Sequence, residues 1–351
     1  MKVSIHKIHL FALLLVFCMM AGCGENQSTE NIDKGMQSVE ELQFEDAMTH
    51  FQAAKEAGEN ERLIYRGMGL ASMGMIEYEE ALVYFQAALD QGDVIPEDID
   101  YDINYYMAVC YYKTNRLDEA LERYNAILEL RPKDTDAYFQ RGLVELEKDS
   151  LTAAKLDFDK AISLDSKNYG LYIDVYSAMS DKGYEEQGKE YLNIAMEKGE
   201  KNMSSYDKGR LFFYMGDYTN ARNFLEQARS DGNRSEEVIL LLGQSYEHLS
   251  DSNYALTLYS DYVAQAPSGA IYNQMGLCYA GMKDYINAVT AFEAGMEVQD
   301  NACRQQLFFN RIVANEKLAR FGEAKKLMGD YLKEYPDDEA ALREYEFLKT
   351  R

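Results

Sequence analysis

Tryptophan is absent from this chain of 351 residues, and proline occurs only four times. Pro132, Pro267 and Pro336 stand where helix-period segments end, and Pro96 lies in a connecting stretch. None falls inside a helical pattern, where proline would remove a backbone hydrogen bond. Sustained period-two alternation is also missing, so no sheet is expected. Histidine is scarce: beyond the first 22 residues only His50 and His248 remain, each expected as a surface or packing residue. There is no Cys-x-x-Cys, His-Glu-x-x-His, phosphate-cradling glycine loop or Gly-x-Ser-x-Gly. Asp98-x-Asp100-x-Asp102 opens like a calcium loop, but Ile103 takes the glycine position and Val109 that of the bidentate glutamate. Adjacent acids such as Glu79–Glu80 point apart on a helix. The expectation is a protein that is not an enzyme and has no metal site and no cofactor.

Basic residues are in short supply as well. The chain has 36 Lys and Arg against 60 Asp and Glu, a net charge of −24. Such a surface repels DNA, RNA and bare anionic headgroups, and tolerates basic partners. Arg304–Lys326 is the local exception, with six basic residues against two acidic; a solvated helix face is expected there in preference to a docking patch.

Long apolar runs are limited to Leu10–Met20, too short to span a bilayer comfortably. Lys2 and Lys7 precede it and Met20–Ala21–Gly22–Cys23 follows, so residues 1–22 read as a targeting segment. The last four resemble a bacterial lipobox, with Met20 in place of the usual leucine. The resemblance implies cleavage before Cys23 and lipidation of Cys23, with residues 23–33 as a polar tether and 34–351 as the folded part. The mature chain would be anchored at the cell membrane or envelope, outside the cytoplasm, touching the membrane through its lipid alone. Cys110, Cys278 and Cys303 remain, and no disulfide framework is expected from them.

What the chain does have is repetition. Tyr101–Asp134 reads as a helix, a turn at Thr114–Asn115–Arg116, and a second helix that Pro132 ends. A small residue recurs at Ala47, Ala81, Ala120, Ala154, Gly188, Ala221, Ala255, Ala288 and Ala324. Twelve positions earlier stand Gly35, Gly69, Ala108, Gly142, Tyr176, Gly209, Gly243, Gly276 and Ile312. Four positions later stand Phe51, Phe85, Tyr124, Phe158, Leu192, Leu225, Tyr259, Phe292 and Met328. Small residues facing each other let two helices approach closely, and a pair this short needs neighbours to bury its apolar faces.

These columns, with the aromatic four before the first one (Tyr65, Tyr138, Tyr172, Tyr272, Phe308), resemble the tetratricopeptide repeat. Tyr176, Gly188 and Ile312 depart from its pattern. The resemblance implies an all-α superhelical solenoid of about nine helix-turn-helix units, with Asp337–Thr350 as a capping helix covering the ninth unit through Leu342, Tyr345 and Leu348. It implies a scaffold whose first helices line a concave face. Groove candidates are Arg66, Leu70 and Met73; Tyr105, Val109 and Tyr112; Phe139, Leu143 and Leu146. Later units offer Ile173, Ser177 and Ser180, then Tyr206, Arg210 and Phe213, then Leu240, Gln244 and Glu247. Two arrangements are open: a stripe that binds a protein or peptide partner, or one buried between neighbouring first helices. Capture of glycans or peptides by the tyrosine-rich stripe is the alternative function.

Overall fold

The computed structural model describes residues 29–93, 95–199, 202–299 and 302–351. Cys23 and the targeting segment lie outside the described residues. Nineteen helices account for the regular structure among them. Eighteen form nine pairs. In the first unit, ending at Tyr191, they are α1 (Glu30–Glu40) and α2 (Phe44–Glu56), α3 (Glu61–Gly74) and α4 (Tyr78–Asp90), α5 (Asp98–Lys113) and α6 (Leu117–Leu130), α7 (Thr135–Glu147) and α8 (Leu151–Leu164), and α9 (Tyr169–Asp181). The next helix, α10 (Glu185–Gly199), carries the boundary. The second unit holds α11 (Ser205–Tyr214) and α12 (Tyr218–Ser230), α13 (Glu236–His248) and α14 (Ser252–Val263), α15 (Gly269–Gly281) and α16 (Tyr285–Met296), α17 (Arg304–Lys317) and α18 (Phe321–Glu334), then α19 (Glu339–Leu348).

The small and bulky columns are the reason the pairs close. Ala47, Ala81, Ala120 and Ala154 are fully buried, as are Phe51, Phe85 and Phe158. A methyl group on Gly69 would stand 2.5 Å from the Phe85 ring, and one on Gly142 2.6 Å from that of Phe158. Each glycine is thus the space the aromatic fills, sixteen residues on. The departures follow the same rule. Where Tyr176 brings bulk to the first helix, Gly188 vacates the second: a methyl there would meet the Tyr176 ring at 3.2 Å. Ile312 is accommodated by Met328, both fully buried, with an unbranched chain that fits irregular space.

Every first helix ends alike. The residue five before the second small column has positive φ: Leu42, Ile76, Asn115, Asp149, Gly183, Gly216, Ser250, Lys283 and Ala319. The next N–H bonds back to a carbonyl five residues earlier, as in Gln43 N–H to Ser38 O and Glu77 N–H to Ser72 O. This is the left-handed helix stop, which satisfies the last carbonyls and reverses the chain.

One boundary and one buried face differ from the expectation. Helix α1 begins at Glu30, inside the expected tether, because the buried Glu59 carboxylate accepts the backbone N–H groups of Asn31 at 3.1 Å and Ile32 at 3.0 Å. In α19, Leu342 does not cover the ninth pair: it is 45% exposed, and Ala341 and Leu348 take the buried face. Their spacing of seven, two helical turns, places them on one side.

Candidate functional site

First helices of successive pairs pack on one another, α1 on α3, α3 on α5 and α7 on α9 in the first unit, and α11, α13, α15 and α17 in turn in the second. Their shared face is where the groove candidates fall.

On α3 that face is closed. Arg66 is buried and its guanidinium meets Asp102 at 3.0 Å on α5; Leu70 and Met73 are buried as well. The acidic run at the start of α5 is ion-paired throughout: Arg62 binds Glu97 at 2.6 Å and also Asp100, Arg66 binds Asp102, and Arg131 binds Asp98. Three arginines therefore stand where a cation would have been sought. Among the described residues no group of three His, Cys, Asp or Glu could hold a metal ion.

On α5 and α7 the face is half open. The Tyr105 hydroxyl donates to Asp134 Oδ1 at 2.5 Å and its ring stands edge-on to Tyr124 at 5.9 Å. Burial, then the carboxylates of Asp134 and Asp136, hold this phenol far above its ordinary pKa. Tyr112 donates to Glu147 at 3.4 Å, and Glu147 also receives Lys182 at 2.5 Å. Burial and Glu147 push the Tyr112 phenol up to about 12. Val109 and Leu143 are half-buried, and Phe139 packs on Phe158 at 5.8 Å. Leu146 and, on α9, Ile173 are buried.

In the second unit, Tyr206 donates to Glu237, which also holds Arg210 at 2.8 Å. Phe213 stands edge-on to Tyr218 at 5.6 Å, and His248, exposed, lies flat on Tyr218 at 3.8 Å. Gln244 donates to Gln274 at 3.1 Å, and Gln274 to Glu247 at 3.0 Å. In the basic stretch, Arg311 is bound to Glu293 at 2.7 Å and Arg304 to Glu334 at 3.4 Å.

Within each unit the candidates are partly closed and partly open. In the first, Tyr105 and Tyr112 bond onward to Asp134 and Glu147 and the rings of Tyr105, Tyr112 and Phe139 are half-buried; in the second, Tyr206 bonds to Glu237 and the rings of Tyr206 and Phe213 are half-buried. A ring already immobilised loses little entropy in any further contact. Cys110, Cys278 and Cys303 are buried, and burial raises all three thiols, which makes them poor nucleophiles. Leu42 and Ile76 are large, exposed and at positive φ, each five positions before a residue of the second small column.

Family profiles described as tetratricopeptide repeat match residues 74–141, 135–168, 206–270 and 269–301. The chain is a tetratricopeptide repeat protein. Human Tetratricopeptide repeat protein 6 is 24% identical over 186 residues, 52% of this chain and 31% of that relative, so the chain spans about a third of its length. The crystal structure of yeast Tom70 is similar with a TM-score of 0.51 and 14% identity, over 87% of this chain and 84% of that one, which shows the same paired-helix fold. A tetratricopeptide repeat protein from Parabacteroides merdae aligns with a TM-score of 0.47 and 16% identity, over 81% of this chain and 97% of that one. Tetratricopeptide repeats mediate protein–protein interactions. No helix among the described residues is long and apolar enough to cross a membrane.

Proposed function

We propose that this tetratricopeptide repeat protein is a non-enzymatic scaffold, lipid-anchored through Cys23 outside the cytoplasm, that holds a protein or peptide partner near the cell membrane in envelope assembly or secretion. The observation that carries the reading is the set of half-open aromatic rings on successive first helices, above all Tyr105 and Tyr112, whose hydroxyls are bonded, and Phe139, which packs on Phe158. The polar tips of both tyrosines are already bonded within the array, so the ring faces and the neighbouring Val109 and Leu143 are what a partner would meet. The anchor rests on Lys2, Lys7, the apolar run and the four residues ending at Cys23. Crosslinking in native cells tests both parts. Phe139→Ala with Leu143→Ala should lose the captured partner, and Cys23→Ala should release the protein from the membrane fraction.

A second reading, capture of a glycan or peptide fragment, is favoured by one feature. An open cavity of about 590 Å³ lies in the second unit among α12, α13 and α14, lined by Ile239, Leu258, Tyr262, Arg229, Arg234 and Asp261. Its size suits a small ligand. Titration with purified cell-wall fragments, followed by tyrosine fluorescence, discriminates: saturable quenching lost in Arg234→Ala favours capture, and its absence leaves the scaffold reading.

A further inference from the structure

Nine first helices end on a residue in the left-handed region, and seven of those residues are small or polar: glycine, asparagine, aspartate, serine, alanine and an exposed lysine. The first two pairs are different. Leu42 has φ of +59° and is 53% exposed; Ile76 has φ of +68° and is 69% exposed. An L-residue in this conformation brings its Cβ against its own carbonyl, a strain that Leu42 shares with Ala319 and Lys283, while Ile76, being β-branched, is the clear outlier. Neither residue recovers the strain by packing, since most of each side chain is in water. Folding alone would favour glycine or asparagine at both.

The two turns are neighbours. Phe44, two residues after Leu42, lies against Gly74, two residues before Ile76, so closely that a methyl on Gly74 would overlap its ring. Leu42 and Ile76 therefore share one edge of the first unit. Carboxylates flank that edge: Glu40, Glu41, Glu45, Asp46, Glu77 and Glu80 are all exposed. Arg116 is bound to Glu79 and Glu119. An anionic lipid surface is repelled by such a setting, whereas a cationic surface with an apolar stripe is complementary to it.

We propose that the edge formed by Leu42 and Ile76 is a docking site for a basic amphipathic helix of a protein partner. Its apolar face would cover the two side chains and its Lys or Arg residues would meet the flanking carboxylates. The site lies at the turns and not on the stripe of first helices, and the proposal rests on the reading of the chain as a protein-binding scaffold.

The test uses an amphipathic peptide of Lys and Leu, its Glu and Leu counterpart with the same apolar face, and phosphatidylglycerol vesicles, each titrated against the purified chain. The expected result is saturable binding of the Lys peptide alone. Leu42→Gly with Ile76→Gly should weaken it by about tenfold, while the thermal midpoint rises by about 2 °C as strain is relieved. Leu42→Asn with Ile76→Asn, copying the Asn115 turn, gives the same answer if the glycines loosen the turns. Loss of binding with a gain in stability is a pairing that a core residue does not produce. Equal affinity of the variants, equal affinity for the Glu peptide, or variant-sensitive binding to the vesicles would each overturn the proposal. If the edge fails while crosslinking still captures a partner dependent on Phe139, the docking edge alone is lost and the scaffold reading stands.

Discussion

The Tyr105 hydroxyl and the backbone N–H of Ala137 share one acceptor, Asp134 Oδ1, at 2.5 Å and 2.9 Å. A side chain of α5 thereby bonds to the residue that caps α7. Tyr105→Phe keeps the ring and removes the bond, and should cost about 1–2 kcal/mol because the acceptor is charged. Asp134→Ala removes the cap as well, adding about 1 kcal/mol. Urea unfolding of both variants and the double variant should give a coupling energy of about 1 kcal/mol. A coupling of zero would mean that the pairs are held by apolar packing alone.

Two glycines make opposite predictions for the same substitution. Gly142→Ala drives a methyl into the Phe158 ring and should destabilise by about 1–3 kcal/mol. At Gly281, at the end of α15, a methyl would meet nothing within 4 Å, so Gly281→Ala should be neutral or stabilise by up to about 1 kcal/mol. Thermal unfolding distinguishes the two.

Glu59 makes the start of the array sensitive to acid. Its burial alone would raise the pKa, but hydrogen bonds from Ile32 and Asn31 to the carboxylate outweigh that and hold it below the ordinary 4.5. A lowered folded pKa contributes stability that is present above the unfolded value and lost as pH falls through the folded one. Hydrogen exchange at α1 should therefore show protection decaying below about pH 4. Glu59→Gln should show weaker protection at neutral pH and no such step.

Glu316 acts with the opposite sign. Burial, then the Glu344 carboxyl on α19, push it up to about 7 from an ordinary 4.5. The folded state then binds this proton more tightly than the unfolded one, so stability falls as pH rises from about 4.5 to about 7. Glu316→Gln should flatten that part of the pH profile and raise the thermal midpoint at pH 8. An unchanged profile would show that the two carboxyls are independent.

Much of this fold is readable without coordinates, because each column has one physical cause. The spacing of Gly69, Ala81 and Phe85 states which helix faces touch, and the expected turn at Thr114–Arg116 separates α5 from α6 in the structure. Partnerships between pairs are less legible. Arg66 looks from its spacing like a groove residue, and only coordinates show that Asp102, 36 positions on, neutralises it. The exchange of Tyr176 for Gly188 looks like two departures until the side chains are seen to share one space. Leu42 and Ile76 are ordinary apolar residues in a list; their strain exists only in φ.

Photo-crosslinking from position 143 in native cells, with mass spectrometry of what is captured, tests the central claim most directly. The account predicts one protein complex, captured reproducibly, absent when Phe139→Ala is introduced, with the thermal midpoint of that variant close to that of the parent. Recovery of no protein from a correctly folded chain, or recovery of the same complex from Phe139→Ala, would contradict it.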